Sequence, residues 1–299
     1  MDAFTWQAVE DVEGSSLILH VIRMNLSEWF RVSPDVMSSQ VTSLTWKPSP
    51  YPRPGGSSGA FEVEASEGDY RALLKPGRPD PQSLPRCQAA VERIAFVLGN
   101  RLDLLIPPVQ LTKGFPPAVA DWPCCIAFKP KGAVWTWGYL QAKGALSALD
   151  KNLFQEGARI VPFHIWIDAH DRANQGNILY VENPESGESR FFFIDHSTSM
   201  LGAEQVGHKH WREGRPLEFV QCAVFAQFLE QISSLTASKT IDKIANLSDN
   251  EIREAVLSIP EEFLTSEEKC LTIEGLLQRK GKIRELVKRW FENYGKSYD

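Results

Sequence analysis

Apolar positions recur with two different periods along this chain. Phe61-Glu62-Val63-Glu64-Ala65 alternates apolar and polar residues, as a half-buried strand does. Ser66-Glu67-Gly68-Asp69 supplies turn residues, and Tyr70 to Lys75 reads as the return strand of a hairpin ended by Pro76 and Gly77. Further strands are predicted at Ser15–Arg23, Val41–Trp46, Leu104–Leu111 and Cys124–Phe128. Arg86 to Leu98 switches to helical spacing through Ala90, Ile94, Val97 and Leu98, with Gly99 as the expected stop. Ile160 to Ile167 is an apolar stretch that runs into a polar loop. Asn177–Val181 and Arg190–Ile194 read as short strands around Asn183-Pro184-Glu185-Ser186-Gly187. From Leu217 onward the pattern is helical, and Ile283, Leu286, Val287, Trp290 and Phe291 form one stripe. The expected class is α+β, strand-rich first and helical afterwards. Between Lys47 and Gly59 the density of Pro, Gly and Ser forbids a regular element. That segment is either a linker or a loop that turns its backbone toward a ligand.

Composition narrows the picture further. The 299 residues are 43% hydrophobic and 23% charged, an ordinary globular balance. A net charge of −6 argues against bulk binding of nucleic acid or anionic membranes. No apolar run approaches the ~20 residues needed to cross a bilayer. The N-terminus runs into Glu10, Asp11 and Glu13 without the basic start and apolar core of a secretory signal, so a cytoplasmic location is expected. Five cysteines without a Cys-x-x-Cys pair read as free buried thiols. Six histidines include His208-x-His210, but no further ligand stands at a suitable spacing, so they read as structural or solvated. Trp122, Trp135, Trp137 and Trp166 read as core. Arg279, Lys280, Lys282, Arg284, Lys288 and Arg289 read as a solvated basic face on the last helix.

Three separated pieces carry chemistry together. Lys75 ends a strand and is followed by Glu92 on the next helix; Asp171-Arg172 leads through a loop to Asn177; Asp195 stands where a strand runs out. Each alone has a bland explanation: a solvated lysine, the wet face of a helix, turn residues, a strand end. Their conjunction is the inventory of phosphoryl transfer. A lysine reaches phosphates and a carboxylate holds it; Asp and Asn oxygens hold a hard cation; a further Asp takes the acceptor's proton. Asp168 also precedes the loop as an alternative base, and Asp171 is preferred because Gly176-Asn177-Ile178-Leu179 fixes the register of the following strand.

These pieces resemble the HipA-like kinases, an atypical bacterial branch of the protein-kinase-like fold. The resemblance spans roughly residues 55 to 294. It rests on Gly55-Gly56-Ser57-Ser58-Gly59, Arg71-Ala72-Leu73-Leu74-Lys75, Ala90-Val91-Glu92-Arg93-Ile94-Ala95 and Ile106-Pro107-Pro108-Val109. Asp171-Arg172 with Gly176-Asn177-Ile178-Leu179 is its most specific part, and Phe193-Ile194-Asp195-His196-Ser197 follows it. Ile259-Pro260-Glu261-Glu262-Phe263-Leu264 and Leu276-Leu277-Gln278-Arg279-Lys280 fit the family's helical lobe. The resemblance implies an N-lobe over residues 1–128 (1–45 an extension, 46–128 the β-rich nucleotide lobe) and a helical C-lobe over 129–299. It implies ATP and Mg2+ as cofactors. Lys75 would contact the phosphates and pair with Glu92, Asp171 would be catalytic, and Asn177 and Asp195 would be metal ligands. The loop Gly55, Gly56, Ser57, Ser58 and Gly59 would cradle phosphates, and Ala127 and Phe128 would lead into the hinge whose backbone holds adenine. A protein Ser or Thr hydroxyl would be the acceptor, and an antitoxin-like protein a candidate partner. A small-molecule or lipid kinase, and a nucleotide-binding pseudokinase, are the alternatives on the same scaffold. The spacing from Asp171 to Asn177 is one residue longer than the family's usual Asp-Arg-His-x-x-Asn, and the His is absent. Either the extra residue bulges outward with both ends in place, or activity has been lost or changed.

Overall fold

The computed structural model describes residues 26, 28–30, 33–39, 41–42, 44–49, 60–67, 70–76, 87–115, 121–220 and 222–298. The strand expected at 15–23 and the Pro/Gly/Ser segment from 50 to 59 lie outside these residues. A short helix, α1 (Pro34–Ser38), is capped by the Ser33 hydroxyl. Strands β1 (Trp46–Pro48), β2 (Phe61–Ala65), β3 (Arg71–Pro76), β4 (Val109–Lys113) and β5 (Pro123–Phe128) form one antiparallel sheet in the order β1-β2-β3-β5-β4. The apolar run Cys124–Phe128 makes β5 an interior strand, paired on both edges and buried from Cys124 onward. Helix α2 (Gln88–Arg101) packs against β4 and β5 through Ala90, Val91, Ile94, Ala95 and Leu98, all at 0% exposure.

Several boundaries differ from the expected ones for packing reasons. Gly99 does not stop α2, which runs on to Arg101. A Cβ on Gly99 would meet Ile106 Cδ1 at 2.3 Å, so the glycine serves a close approach rather than a helix end. The strand expected at Val41–Trp46 reduces to an isolated bridge from Val41 to Leu111 and the short β1. Of Leu104–Leu111, only the part from Val109 is strand; Pro107 and Pro108 cannot donate to a ladder. The apolar stretch 160–167 forms a helix over Val161–Trp166, with Pro162 in its first turn.

The second half begins with a three-stranded antiparallel sheet of β6 (Ala133–Thr136), β7 (Ile178–Glu182) and β8 (Ser189–Phe193). Around it stand α3 (Trp137–Ala142), α4 (Lys151–Ala158), α5 (Val161–Trp166), α6 (Ala226–Gln231), α7 (Ser234–Asn246), α8 (Asp249–Leu257), α9 (Ser266–Gly281) and α10 (Ile283–Asn293). Capping boxes Ser248/Glu251 and Thr265/Glu268 start α8 and α9, each satisfying two orphan amides. The stripe Ile283, Leu286, Val287, Trp290 and Phe291 is buried as expected. Arg279 is not part of a solvated basic face: it lies on α9, has 0% exposure and donates to backbone carbonyls of Ile165, Trp166, Pro216 and Phe219. Cys87, Cys124, Cys125 and Cys222 are buried, whereas Cys270 is exposed. No helix among the described residues is long and apolar enough to cross a membrane. Trp29 and Phe30, from the N-terminal extension, pack edge-on against Phe192 of β8.

Candidate active site

β3 delivers Lys75 by strand alternation. Ala72 and Leu74 turn into the core at 0% exposure, which sends Leu73 and Lys75 to the opposite face. Lys75 Nζ lies 2.5 Å from Glu92 Oε1 and 3.3 Å from Asp195 Oδ1. Three chain segments therefore meet at one ammonium group. Glu92 is not on a wet face of α2, since it is only 3% exposed. Burial opposes the Lys75 charge, but Asp195 and then Glu92 outweigh it and hold the amine above the ordinary lysine range. Burial pushes the Glu92 carboxyl up, and Lys75 pulls it only part of the way back. Burial likewise disfavours Asp195 as an anion, but Lys75, the Ser197 hydroxyl and Arg172 together hold it below the usual carboxylate range. Ser197 Oγ donates to Asp195 Oδ1 at 2.7 Å.

The loop after α5 carries the remaining groups. Arg172 is 4% exposed and acts as a clamp. Its Nε donates to His170 O at 3.0 Å, its Nη1 to Ile194 O at 2.9 Å, and its Nη2 to Asp195 O. The Thr198 hydroxyl donates to the same His170 carbonyl at 3.0 Å. Loop and strand end are thus tied together through their backbones. Asn177 donates its amide nitrogen to Asp171 O at 3.0 Å, so the two ends of the loop remain neighbours. The added length lies outside them: residues 173 to 176 are exposed. Asn174 stabilises this bulge by accepting from Gly176 N at 2.9 Å and donating to Asp171 Oδ2 at 3.2 Å. Gln175 closes it against α3, where Gly138 N donates to Gln175 O at 3.1 Å. A Cβ on Gly138 would stand 3.0 Å from Gln175 Cβ, so a glycine permits this contact. Of the two alternatives posed by the long spacing, the geometry is that of an outward bulge with its ends in place. Asp168, Asp171 and Asp195 all adopt left-handed backbone, at φ 54, 58 and 60.

Lys75, Glu92 and Asp195 form one set of direct contacts and Asp171 and Asn177 another; the Arg172 clamp and the Ile194 N–H, which donates to Asn177 O at 3.0 Å, join the two. Gly55, Gly56, Ser57, Ser58 and Gly59 lie outside the described residues. Ala127 sits in the ladder between Leu73 and Val109, and Phe128 N donates to Pro108 O at 3.0 Å. The Phe128 amide is therefore spent within the sheet, and the connection onward to β6 is residues 129 to 132. Asp168 is 0% exposed and bonded to His210 and Trp211, which removes it as an alternative base. Sequence reasoning missed the Arg172 clamp and the Ser197 contact. Their signal was present, in an Asp-Arg pair and a hydroxyl two residues after an acid, but neither pattern names its partner.

A strand-rich lobe and a helical lobe, joined beside a Lys–Glu–Asp cluster, define a kinase-like two-lobed fold. The solved structure of CtkA, a proinflammatory kinase of Helicobacter pylori, shares it with TM-score 0.57 and 14% sequence identity, over 83% of this chain and 96% of that one. No family model matches the chain, and no curated protein matches it either.

Proposed function

We propose that this chain is a HipA-like, ATP- and Mg2+-dependent kinase that phosphorylates a protein Ser or Thr hydroxyl. The observation that carries the reading is the ammonium of Lys75 held between Glu92 at 2.5 Å and Asp195 at 3.3 Å. The donor set suits a hard cation. Asn177 commits its amide nitrogen to Asp171, which leaves its oxygen; Lys75 and Ser197 both engage Asp195 Oδ1, which leaves Oδ2. Magnesium bound there would neutralise charge on the triphosphate. Lys75, kept protonated by its two carboxylates, places a positive charge for phosphate oxygens. Glu92 fixes the direction of that amine. Arg172 holds the Asp195 backbone at a set distance from the loop. Asp171, on the exposed loop, accepts the proton of the acceptor hydroxyl as its oxygen bonds to the γ-phosphorus and the bond to ADP breaks. The protein acceptor and an antitoxin-like partner follow from the family resemblance.

Incubation with γ-labelled ATP and Mg2+, alone and with a generic Ser/Thr protein acceptor such as casein, tests the reading. Label should enter protein, and Asp195→Asn should reduce it by about a thousandfold. Lys75→Met should weaken nucleotide-dependent thermal stabilisation as well. Stabilisation by Mg-ATP without any label would identify a pseudokinase instead. Neither label nor stabilisation would remove nucleotide chemistry from this cleft.

A further inference from the structure

Asp168, His170 and His210 come from a loop and a distant turn yet present a carboxylate oxygen and two imidazole nitrogens within 4.8 Å of one another. All three are buried, at 0%, 7% and 2% exposure. His210 Nε2 lies 2.5 Å and His170 Nε2 3.4 Å from Asp168 Oδ2. Trp211 Nε1 donates to the same oxygen at 2.9 Å. The ring of His208 stacks on His170 with centroids 4.2 Å apart and is itself partly exposed, so one imidazole separates the cluster from solvent.

Protein hydrogen bonds leave this cluster incomplete. Asp168 Oδ1, His170 Nε2 and His210 Nδ1 are buried with no hydrogen-bond partner among the described residues. Buried polar atoms are seldom left so, and one on each of the three residues of a single cluster calls for a ligand. Arg279 does not supply the missing donor. Its nitrogens go to four backbone carbonyls, and Nη2 stays 3.8 Å from Asp168 Oδ1.

We propose that Asp168, His170 and His210 form a binding site for a divalent transition-metal ion of the Zn2+ type, separate from the nucleotide cleft. Two imidazoles and one carboxylate are a zinc donor set, whereas Mg2+ and Ca2+ favour oxygen alone. Trp211 is the outer donor that orients the carboxylate, and the stacked His208 steadies the ring of His170. The guanidinium of Arg279, 3.8 Å from Asp168 Oδ1, opposes a second positive charge and weakens the site. A metal here fastens residues 168–170, which lead directly into Asp171, to the turn at 208–210. It would set the stiffness of the catalytic loop from behind.

The full chain, stripped with a strong chelator, is titrated with Zn2+ alone and with Co2+ alone. One Zn2+ per chain should bind, and Co2+ should give visible absorption bands characteristic of low-coordinate geometry. His170→Gln and His210→Gln should each weaken Zn2+ at least about tenfold and abolish the Co2+ bands. Asp195→Asn should keep both, because it alters only the cleft. Should His210→Gln fail to fold by circular dichroism, His170→Gln carries the test, since the Nε2 it removes makes no hydrogen bond. A stripped protein that takes up no Zn2+, an unchanged affinity in His170→Gln, or a loss of binding in Asp195→Asn would each overturn the site and leave a dry hydrogen-bonded network only.

Discussion

Glu92 and Asp168 are both acids sealed from solvent, at 3% and 0% exposure, one on α2 beside the cleft and one ahead of the loop. Burial pushes the pKa of each upward, yet the outcomes are opposite. Glu92 shares a single amine with Asp195, whose negative charge adds to the push, and its pKa ends above the ordinary range. Asp168 faces Arg279, His170 and His210, and its pKa ends well below. The surroundings of each carboxylate decide the sign: a second carboxylate competes for the amine beside Glu92, whereas Asp168 has a guanidinium and two imidazole contacts to itself. The cleft acid meets its one amine at 2.5 Å and shares it with Asp195. The rear acid is locked in its charged form and anchors the helical lobe.

The largest test of that contrast is Asp168→Asn. It strands the buried charge of Arg279 and should cost about 3–5 kcal/mol in urea unfolding at neutral pH. A loss under about 1 kcal/mol would show that four carbonyls satisfy Arg279 without the acid. Next comes pH. An unfolded aspartate titrates near ~3.9, and the folded Asp168 titrates lower, so its contribution is fully present above about pH 5 and fades as pH falls through the folded value. The stability gap between the native chain and Asp168→Asn should therefore be widest near neutrality and narrow on acidification. A gap independent of pH would mean that Asp168 is not the ion described. Glu92 runs the other way: with a raised folded pKa, its linked stability is present in acid and declines as pH rises. The smallest stability effect belongs to Glu92→Gln, which removes the charge that burial penalises while Asp195 still pairs with Lys75. Unfolding free energy should move by no more than about 1 kcal/mol, but phosphoryl transfer should fall about a hundredfold through a misdirected Lys75. Equal destabilisation by the Glu92 and Asp168 substitutions would erase the distinction.

Strand periodicity made the hairpin β2–β3, the interior strand β5 and the pair β7–β8 legible, because period two and unbroken apolar runs are local signals. The order Lys75, Glu92, Asp171, Asn177, Asp195 was legible for a similar reason, since each stands next to a recognisable element. What sequence hid was partnership across distance. Glu92 was the exception: alone it looked like helix surface, but the order of the pieces paired it with Lys75, 17 positions away on a strand. Arg279 looked like one more surface cation because its carbonyl acceptors lie 60 or more positions off. His208-x-His210 looked isolated because Asp168 precedes His210 by 42 positions. Gly99 was misread for a related reason: the group that needs its missing Cβ, Ile106, lies beyond the end of the helix.

The positive φ angles of Asp171 and Asp195 have a bearing on how this cleft can change over generations. Most side chains resist that conformation by about 1–2 kcal/mol, while Asn and Gly settle into it readily. Alanine at either position would therefore bend the loop as well as delete an acid, and its phenotype would mix two causes. Asparagine would silence the chemistry while preserving the shape. Under the proposed function, a descendant that gave up phosphoryl transfer but kept the architecture should carry Asn or Gly at 171 and 195, a cast of the cleft without its acids.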